Sequence, residues 1–597
     1  MATINATTNE KIYSIKKWLG LNQSPDGDTK LKYGEAAVMR NWRVTRDGNL
    51  RRRPGTAVQE TIGAEAVKRL WSGFVDGSEC VLAACDNHLY ELFNGAEWTK
   101  TDLGEISTAG SVFIFGFGGC AYILDGVKYR VYDGTSLTEV EGYRPLVVTA
   151  SVPSGGGTSI EHVNKLNGMR RVQFSPDGAS TVFSLPENNI SSVDYVKNTA
   201  TGEEITGYTV NLVAGSVTFT SAPETGVNTI EIGYSVSVDY RLQVERMRYA
   251  ELFNGAQDSR VFLYGDGSNQ VLYSGLDSAG QPRADYFPDL NVAAVGDSNT
   301  PVTALIRHGS RLIAYKTNST YSIYYNTITL EDGSTTAGFY ITPVNRAIGN
   351  VAPGQAQLVL NYPRTLFGED CYEWKNASTY FTADERQAKR ISDRVHTTLR
   401  GFDAKSAVCW DDNDAQEYYI AYDGQALVHN YAADVWYYYT EFDARSFMNF
   451  RGELYIGTSD GRVLNVDDRY LTDCGEAISA YWESGSMDFN ADYMRKYTSA
   501  LWVTVKPESN SYVEITVKTD RKTDNAQKSI AKGLGFFSNM DFGNFSFNTS
   551  TRPQVKKLRI KSKKYTFYKL VFQTDRVGTT ATVLQADVRV RQTGYAK

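Results

Sequence analysis

The residues of this chain with the types for chemistry are five histidines, six cysteines, the carboxylates, an aromatic run and two basic runs. The histidines are His88, His162, His308, His396 and His429. None lies within four residues of another, so no helical zinc pair exists, and a metal site would need distant loops. In a chain rich in strands, a lone histidine reads as structural. Cys80, Cys85, Cys120, Cys371, Cys409 and Cys474 form no C-x-x-C pair and match no zinc spacing. A Cys80–Cys85 disulfide is sterically conceivable, and buried free thiols are the expected state of most of them. The chain has no G-x-S-x-G elbow, no Walker loop and no dinucleotide fingerprint. The glycines of Gly116–Cys120 lie between strands rather than before a helix, which points to close backbone packing. A glycosidase needs two placed carboxylates, but among 68 acidic residues pairs are everywhere and decide nothing. The sialidase repeat S-x-D-x-G-x-x-W does not occur. These readings point away from an enzyme and imply no cofactor or metal.

The run Trp436–Tyr439, with Tyr418, Tyr419, Tyr422 and Tyr431, offers ring faces on which a sugar could stack. Neighbouring strand residues point to opposite faces, so half of them must pack inward, and core is the reading preferred. Two basic runs stand out. Arg51, Arg52 and Arg53 follow an Asp47-Gly48 turn. Lys557, Arg559, Lys561 and Lys563 alternate with Leu558, Ile560 and Ser562, which predicts a strand with one positive face. Either run is a charged edge that resists aggregation, or a contact with an acidic partner or with DNA phosphate. The net charge of −6 gives no support for a protein that coats nucleic acid along its whole surface. The charge is uneven, however: from Thr551 onward twelve Lys/Arg face only Asp575 and Asp587.

The elements that must position these residues are strands. With 39 Tyr, 26 Phe, 9 Trp, 51 Gly and 15 Pro in 597 residues, the composition favours short strands joined by tight turns. Six segments repeat the plan strand, Gly/Asn/Asp turn, strand: 78–101, 119–140, 259–275, 310–326, 416–442 and 452–468. Such self-similarity matches the blade of a β-propeller, and about six to eight blades are expected. Ser154–Gly157 reads as a flexible connection. Beyond it, the alternation of Val217, Phe219, Ile230, Ile232 and Tyr234 predicts an inserted β-sandwich. Asp239–Phe253 is compatible with a helix or with a return strand. The segments after Ala477 alternate at period two and predict a C-terminal β-sandwich-like domain. The expected organisation is a 1–60 arm with a hairpin, propeller at 61–150 and 241–475, the insertion at 151–240, and a β-rich domain at 476–597. No run of about 18 apolar residues predicts a membrane span, and no apolar leader opens the chain.

Asn41–Gly55, NWRVTRDGNLRRRPG, combines a hairpin turn, three arginines and a Pro-Gly stop. It resembles the N-terminal signature of phage tail-nozzle and packaged-DNA stabilisation proteins, β-propeller proteins of the phage neck. The insertion and the β-rich C-terminus are similar to parts of such proteins as well. The resemblance implies a virion structural protein of the neck or tail, made in the bacterial host cytoplasm. It implies a homo-oligomeric, hexameric ring that meets the portal and adaptor and other tail proteins, with transient, non-specific contact to genomic DNA and none to membrane. On this reading Arg51–Arg53 and a flexible segment of about forty residues help dock to the adaptor. The rival expectation is a propeller that binds or cleaves glycans.

Overall fold

The computed structural model describes residues 10–95, 97–237, 240–254, 259–329, 335–376, 386–508, 510–521, 528–532 and 552–595. The fold is all-β, of β-propeller type, with an inserted β-sandwich and a terminal β-sandwich. Seven four-stranded antiparallel sheets are found among the described residues. Their hairpins turn where the sequence offers residues that tolerate a left-handed backbone: Asp86-Asn87 (φ 50° and 61°), Asp423-Gly424 (45° and 72°) and Arg451-Gly452 (52° and 77°). All six hairpin segments read from the sequence are hairpins in these sheets. The sheet Gln357–Val359, Tyr362–Phe367, Asp370–Asn376, Arg386–Arg390 was not foreseen, because its last two strands are polar and charged and show no alternation.

The chain divides into two compact units. The first comprises residues 1–70, 368–373 and 388–597. It holds the sheet Val408–Asp412, Glu417–Tyr422, Gln425–Asn430, Val435–Thr440. In the next sheet, Ser446–Phe450, Glu453–Gly457 and Arg462–Asp467 are joined by Gly55–Thr61, so a strand from the start of the chain supplies the fourth position. Gly55 is required there: a Cβ would lie 2.4 Å from the Thr472 carbonyl oxygen and 2.5 Å from that of Tyr470.

The terminal sandwich of this unit is composite. One sheet runs Trp42–Val44, Leu50–Arg52, Thr582–Tyr595, Met494–Val505, Gln554–Leu558, with Glu10–Ile15 pairing with Thr582–Tyr595 and Ser562–Tyr565 with Met494–Val505. The other runs Ala36–Arg40, Ala480–Ser484, Tyr568–Thr574, Ser511–Thr519, Lys528–Lys532. This corrects the expected separate arm at 1–60. From Glu10 onward the arm is woven into both sheets, because Ile15, Trp18, Leu21, Met39 and Trp42 are fully buried. Trp18 meets Trp482 and Phe572 edge-on, with ring centroids 4.9 Å and 5.5 Å apart. Residues 1–9 lie outside the described residues.

The second unit comprises residues 71–367 and 374–387. Successive four-stranded sheets here share apolar cores. Leu82, Ala84 and Leu89 pack with Ile114, Ala121 and Ile123, and Phe262, Val271 and Val302 with Leu312, Ala314 and Ile323. The insertion is a five-stranded sheet (Thr158–Ser159, Leu146–Ser151, Met169–Phe174, Ile230–Ser235, Ser192–Asn198) on a three-stranded one (Val182–Ser184, Ser216–Phe219, Tyr208–Asn211). Phe183 sits edge-on between Phe174 and Phe219, at 5.3 Å and 5.0 Å. Val217, Phe219, Ile230, Ile232 and Tyr234 are all buried, as their alternation predicts. Ser154–Gly157 is not a linker: Val152 and Gly155 bridge, and a Cβ on Gly157 would lie 2.6 Å from the Thr149 carbonyl oxygen. Within Asp239–Phe253, the described residues 240–253 fulfil both readings in part, as a helical turn, Arg241–Glu245, followed by the strand Tyr249–Leu252.

Candidate functional site

The signature segment folds as its turn chemistry predicts. Trp42 pairs with Arg52, Arg43 with Arg51 and Val44 with Leu50. The turn is closed by Gly48 N–H donating to the Thr45 carbonyl (2.8 Å), with Gly48 at φ 78°. Leu50 and Arg51 then pair with Val583 and Thr582 of the last strand. Facing arginines on paired strands repel. Here Asp468 accepts from both, ion-paired with Arg43 and with Arg51 at 3.0 Å, and Glu508 stands 3.6 Å from Arg51. Burial works against the charge on Arg43, but Asp468 and the buried Glu417 raise its pKa.

Arg52 and Arg53 are buried, which corrects their placement as candidate contacts for a partner or DNA. Arg52 donates to the carbonyls of Leu471 (2.7 Å) and Tyr470 (3.3 Å). Burial and the neighbouring Arg53 lower its pKa to about 10, so it stays charged at neutral pH. Arg53 grips Asp473 in bidentate fashion at 3.0 Å and 2.5 Å, and donates to Asn41 Oδ1 (3.0 Å) and to the Pro54 carbonyl. Its guanidinium also lies 5.8 Å from the ring centroids of Tyr439 and Phe442. Asn41, at φ 57°, donates to Thr440 Oγ1 (2.9 Å) and the Ser479 carbonyl (2.8 Å) and accepts from Thr440 N–H (2.9 Å). The signature therefore ties together the strand Val435–Thr440, the 467–476 segment and the terminal sandwich. Asp468 and Asp473 were the complementary signal in the sequence.

The aromatic run is core, as expected. Trp436, Tyr437 and Tyr439 are buried, together with Tyr418 and Tyr419. Glu417 lies among them, accepting from Tyr419 OH (2.7 Å) and Tyr437 OH (2.8 Å), and burial raises its pKa. These rings are closed to a sugar. His429 is likewise buried, stacked on Trp436 with centroids 4.7 Å apart. None of the six cysteines is in a disulfide; Cys80, Cys85, Cys371 and Cys409 are buried. No cluster of His, Cys, Asp and Glu suited to a metal ion occurs among the described residues.

The second basic run is exposed. Lys557, Arg559, Lys561 and Lys563 face solvent while Leu558, Ile560 and Ser562 are buried, as the alternation predicts. They do not form one strand: the chain breaks between Gln554–Leu558 and Ser562–Tyr565, and both pieces pair with Met494–Val505. Arg51 and this run therefore belong to a single sheet. That sheet adds four residues that were not singled out from the sequence. Lys557 pairs with Trp502 and Lys563 with Tyr497, while Tyr497 pairs with Arg591 on the strand Thr582–Tyr595, which also carries Arg589. The spacing of Arg589 and Arg591, two residues apart, was the signal available.

On the other sheet Glu483 accepts from Lys518 (2.6 Å), Lys569 (3.0 Å) and Tyr481 OH. Burial alone would raise its pKa, but these hydrogen bonds outweigh it and hold the carboxyl below its ordinary value. Because the folded pKa lies below the unfolded value of about 4.3, Glu483 stabilises above that pH, and the contribution is lost as pH falls below it. Glu483→Gln is expected to cost about 1–3 kcal/mol at pH 7 and to flatten the acid limb of stability. Urea unfolding of both proteins from pH 7 down to pH 3 checks this; parallel acid limbs would contradict it.

The chain is thus a β-propeller-type protein carrying two sandwiches. No family model and no curated protein matches it. Among solved structures it is similar to the computationally designed Ika8 protein, with 8% identity and a TM-score of 0.30, covering 69% of this chain and 99% of that one. It is similar also to BBS1N in complex with ARL6DN, with 8% identity and a TM-score of 0.24, over 69% and 96% of the two chains. A third likeness is to the extracellular domain of a hybrid two-component system from B. thetaiotaomicron, with 10% identity and a TM-score of 0.17, over 76% and 59%. At such scores none of these likenesses bears on what the chain does.

Proposed function

We propose that this chain is a structural subunit of a phage neck or tail nozzle. Copies assemble as a ring on the portal–adaptor, retain packaged DNA and pass it during ejection. The observation that carries the reading is the segment Asn41–Gly55, on which the resemblance to the nozzle proteins rests. Its turn, its arginines and its Pro-Gly stop each have a structural task in one unit, as a signature of a mechanical protein should. Gly55 opens the strand that completes a propeller sheet, and Arg53 holds Asp473 beside it. A ring subunit that holds DNA under pressure needs such internal ties, and a closing ring needs one face of each copy to meet a different face of the next. Co-sedimentation with a purified portal–adaptor complex tests the reading. The protein is expected to travel with the complex in a fixed copy ratio; failure to travel with it contradicts the reading.

A further inference from the structure

We propose that the solvent face of the seven-stranded terminal sheet binds the phosphate backbone of DNA without reading its sequence, through Lys557, Lys563, Arg589 and Arg591. The four cations sit on the two rows that flank the strand Met494–Val505, which carries Trp502 and Tyr497 between them. The Lys557 ammonium lies 5.6 Å and the Arg589 guanidinium 5.7 Å from the Trp502 ring, and Arg591 lies 5.7 Å from the Tyr497 ring. Ring faces hold these cations in place on an exposed surface. Arg589 is further fixed by Ser499 Oγ, at 3.0 Å and 2.8 Å. Two acids share the face: Asp587 lies opposite Trp502 and is engaged by Gln585 at 2.8 Å, and Glu10 lies opposite Arg591 and 3.7 Å from Arg589. Lys557, Lys563 and Arg591 form no ion pair among the described residues. Arg559 and Lys561, exposed in the break between the two edge strands, add to the same field.

The occupant follows from this chemistry. Strands lie about 4.8 Å apart, and duplex DNA carries one charge per about 1.7 Å of axis, so a face of this width meets several phosphates at once. An acidic protein partner fits less well. Interface anchors are aromatic side chains free to enter a pocket, and Trp502 has a cation on either side. For the same reason Trp502 is not free to stack on an unpaired base. Backbone contact predicts tighter binding to duplex, with its denser charge, than to single strand, unlike a stacking platform. The face lies on a chain of net charge −6, which confines the contact to this patch.

The test is fluorescence anisotropy of the full chain with fluorescein-labelled duplex and single-stranded DNA of one length. Four phosphate contacts predict an affinity loss of about a hundredfold between 50 and 200 mM salt. Lys557→Glu/Lys563→Glu is expected to weaken binding at least tenfold and to reduce the salt slope by about half, by the same counterion release. Both side chains are exposed, so the fold should be kept; an unchanged thermal midpoint verifies that, and Arg591→Gln, with a smaller loss of the same kind, serves if it shifts. Lys405→Glu, on an exposed loop elsewhere, should bind as the parent does. Three results would each overturn the inference: no binding at low salt, unchanged binding by the double variant, or displacement of DNA by polyglutamate at equal charge. Which DNA is bound rests on the neck reading, but the contact does not. DNA binding without assembly on portal–adaptor would sink the reading alone, and assembly without DNA binding would sink this inference alone.

Discussion

Arg53→Met is expected to destabilise the unit that contains it by about 3–5 kcal/mol, because removing one member of a buried ion pair strands the other. The Arg53 side chain has no exposed surface, and Asp473 keeps only 18% of its own. Lost with the guanidinium are its bonds to Asn41 Oδ1 and to the Pro54 carbonyl and its contact with the Tyr439 and Phe442 rings. The thermal midpoint of the transition should fall by about 6 °C or more. Arg51→Met, whose partners Asp468 and Glu508 are shared with other groups, should cost about 1 kcal/mol or less. Adding Asp473→Asn to Arg53→Met should recover part of the loss, since the stranded charge goes with it. Scanning calorimetry of the three proteins decides. Equal, small losses for Arg51→Met and Arg53→Met would show that the buried pair does not hold the segment.

Deleting residues 1–40 is expected to do more. It removes the strands Glu10–Ile15 and Ala36–Arg40 from the two sheets of the terminal sandwich. It also removes Trp18, and loss of one fully buried Trp side chain alone costs about 3–5 kcal/mol. Trp482 and Phe572 lose their partner, and the strands Ala480–Ser484 and Thr582–Tyr595 gain open edges. Limited trypsin digestion should then cut the strands Ala480–Ser484 to Ser511–Thr519 and Thr582–Tyr595 faster than in the full chain. A detachable docking arm would leave the digestion pattern unchanged.

That contrast also shows what the sequence could and could not reveal. Hairpins, the insertion and the exposed lysine stripe depend on neighbours along the chain, and turn residues and alternation displayed them. Glu10–Ile15 pairs with Ala586–Arg591 at the far end of the chain, and no local pattern encodes such a partner. Gly55–Thr61 completes a sheet with Arg462–Asp467 for the same reason. The arginine run misled in another way. Three adjacent charges look like surface, but Asp473 and the carbonyls of Tyr470 and Leu471, remote in sequence, make an interior site for Arg52 and Arg53. The basic face was half legible: Lys557 to Lys563 stood out as a run, while Arg589 and Arg591 join it only through the register of Thr582–Tyr595 on Met494–Val505.

The proposed role is tested most directly by native mass measurement of the purified protein, alone and mixed with a portal–adaptor complex. A closed ring, formed by the protein alone or nucleated from monomer by the complex, is the result the account predicts. A monomer whose mass is indifferent to the complex would contradict it.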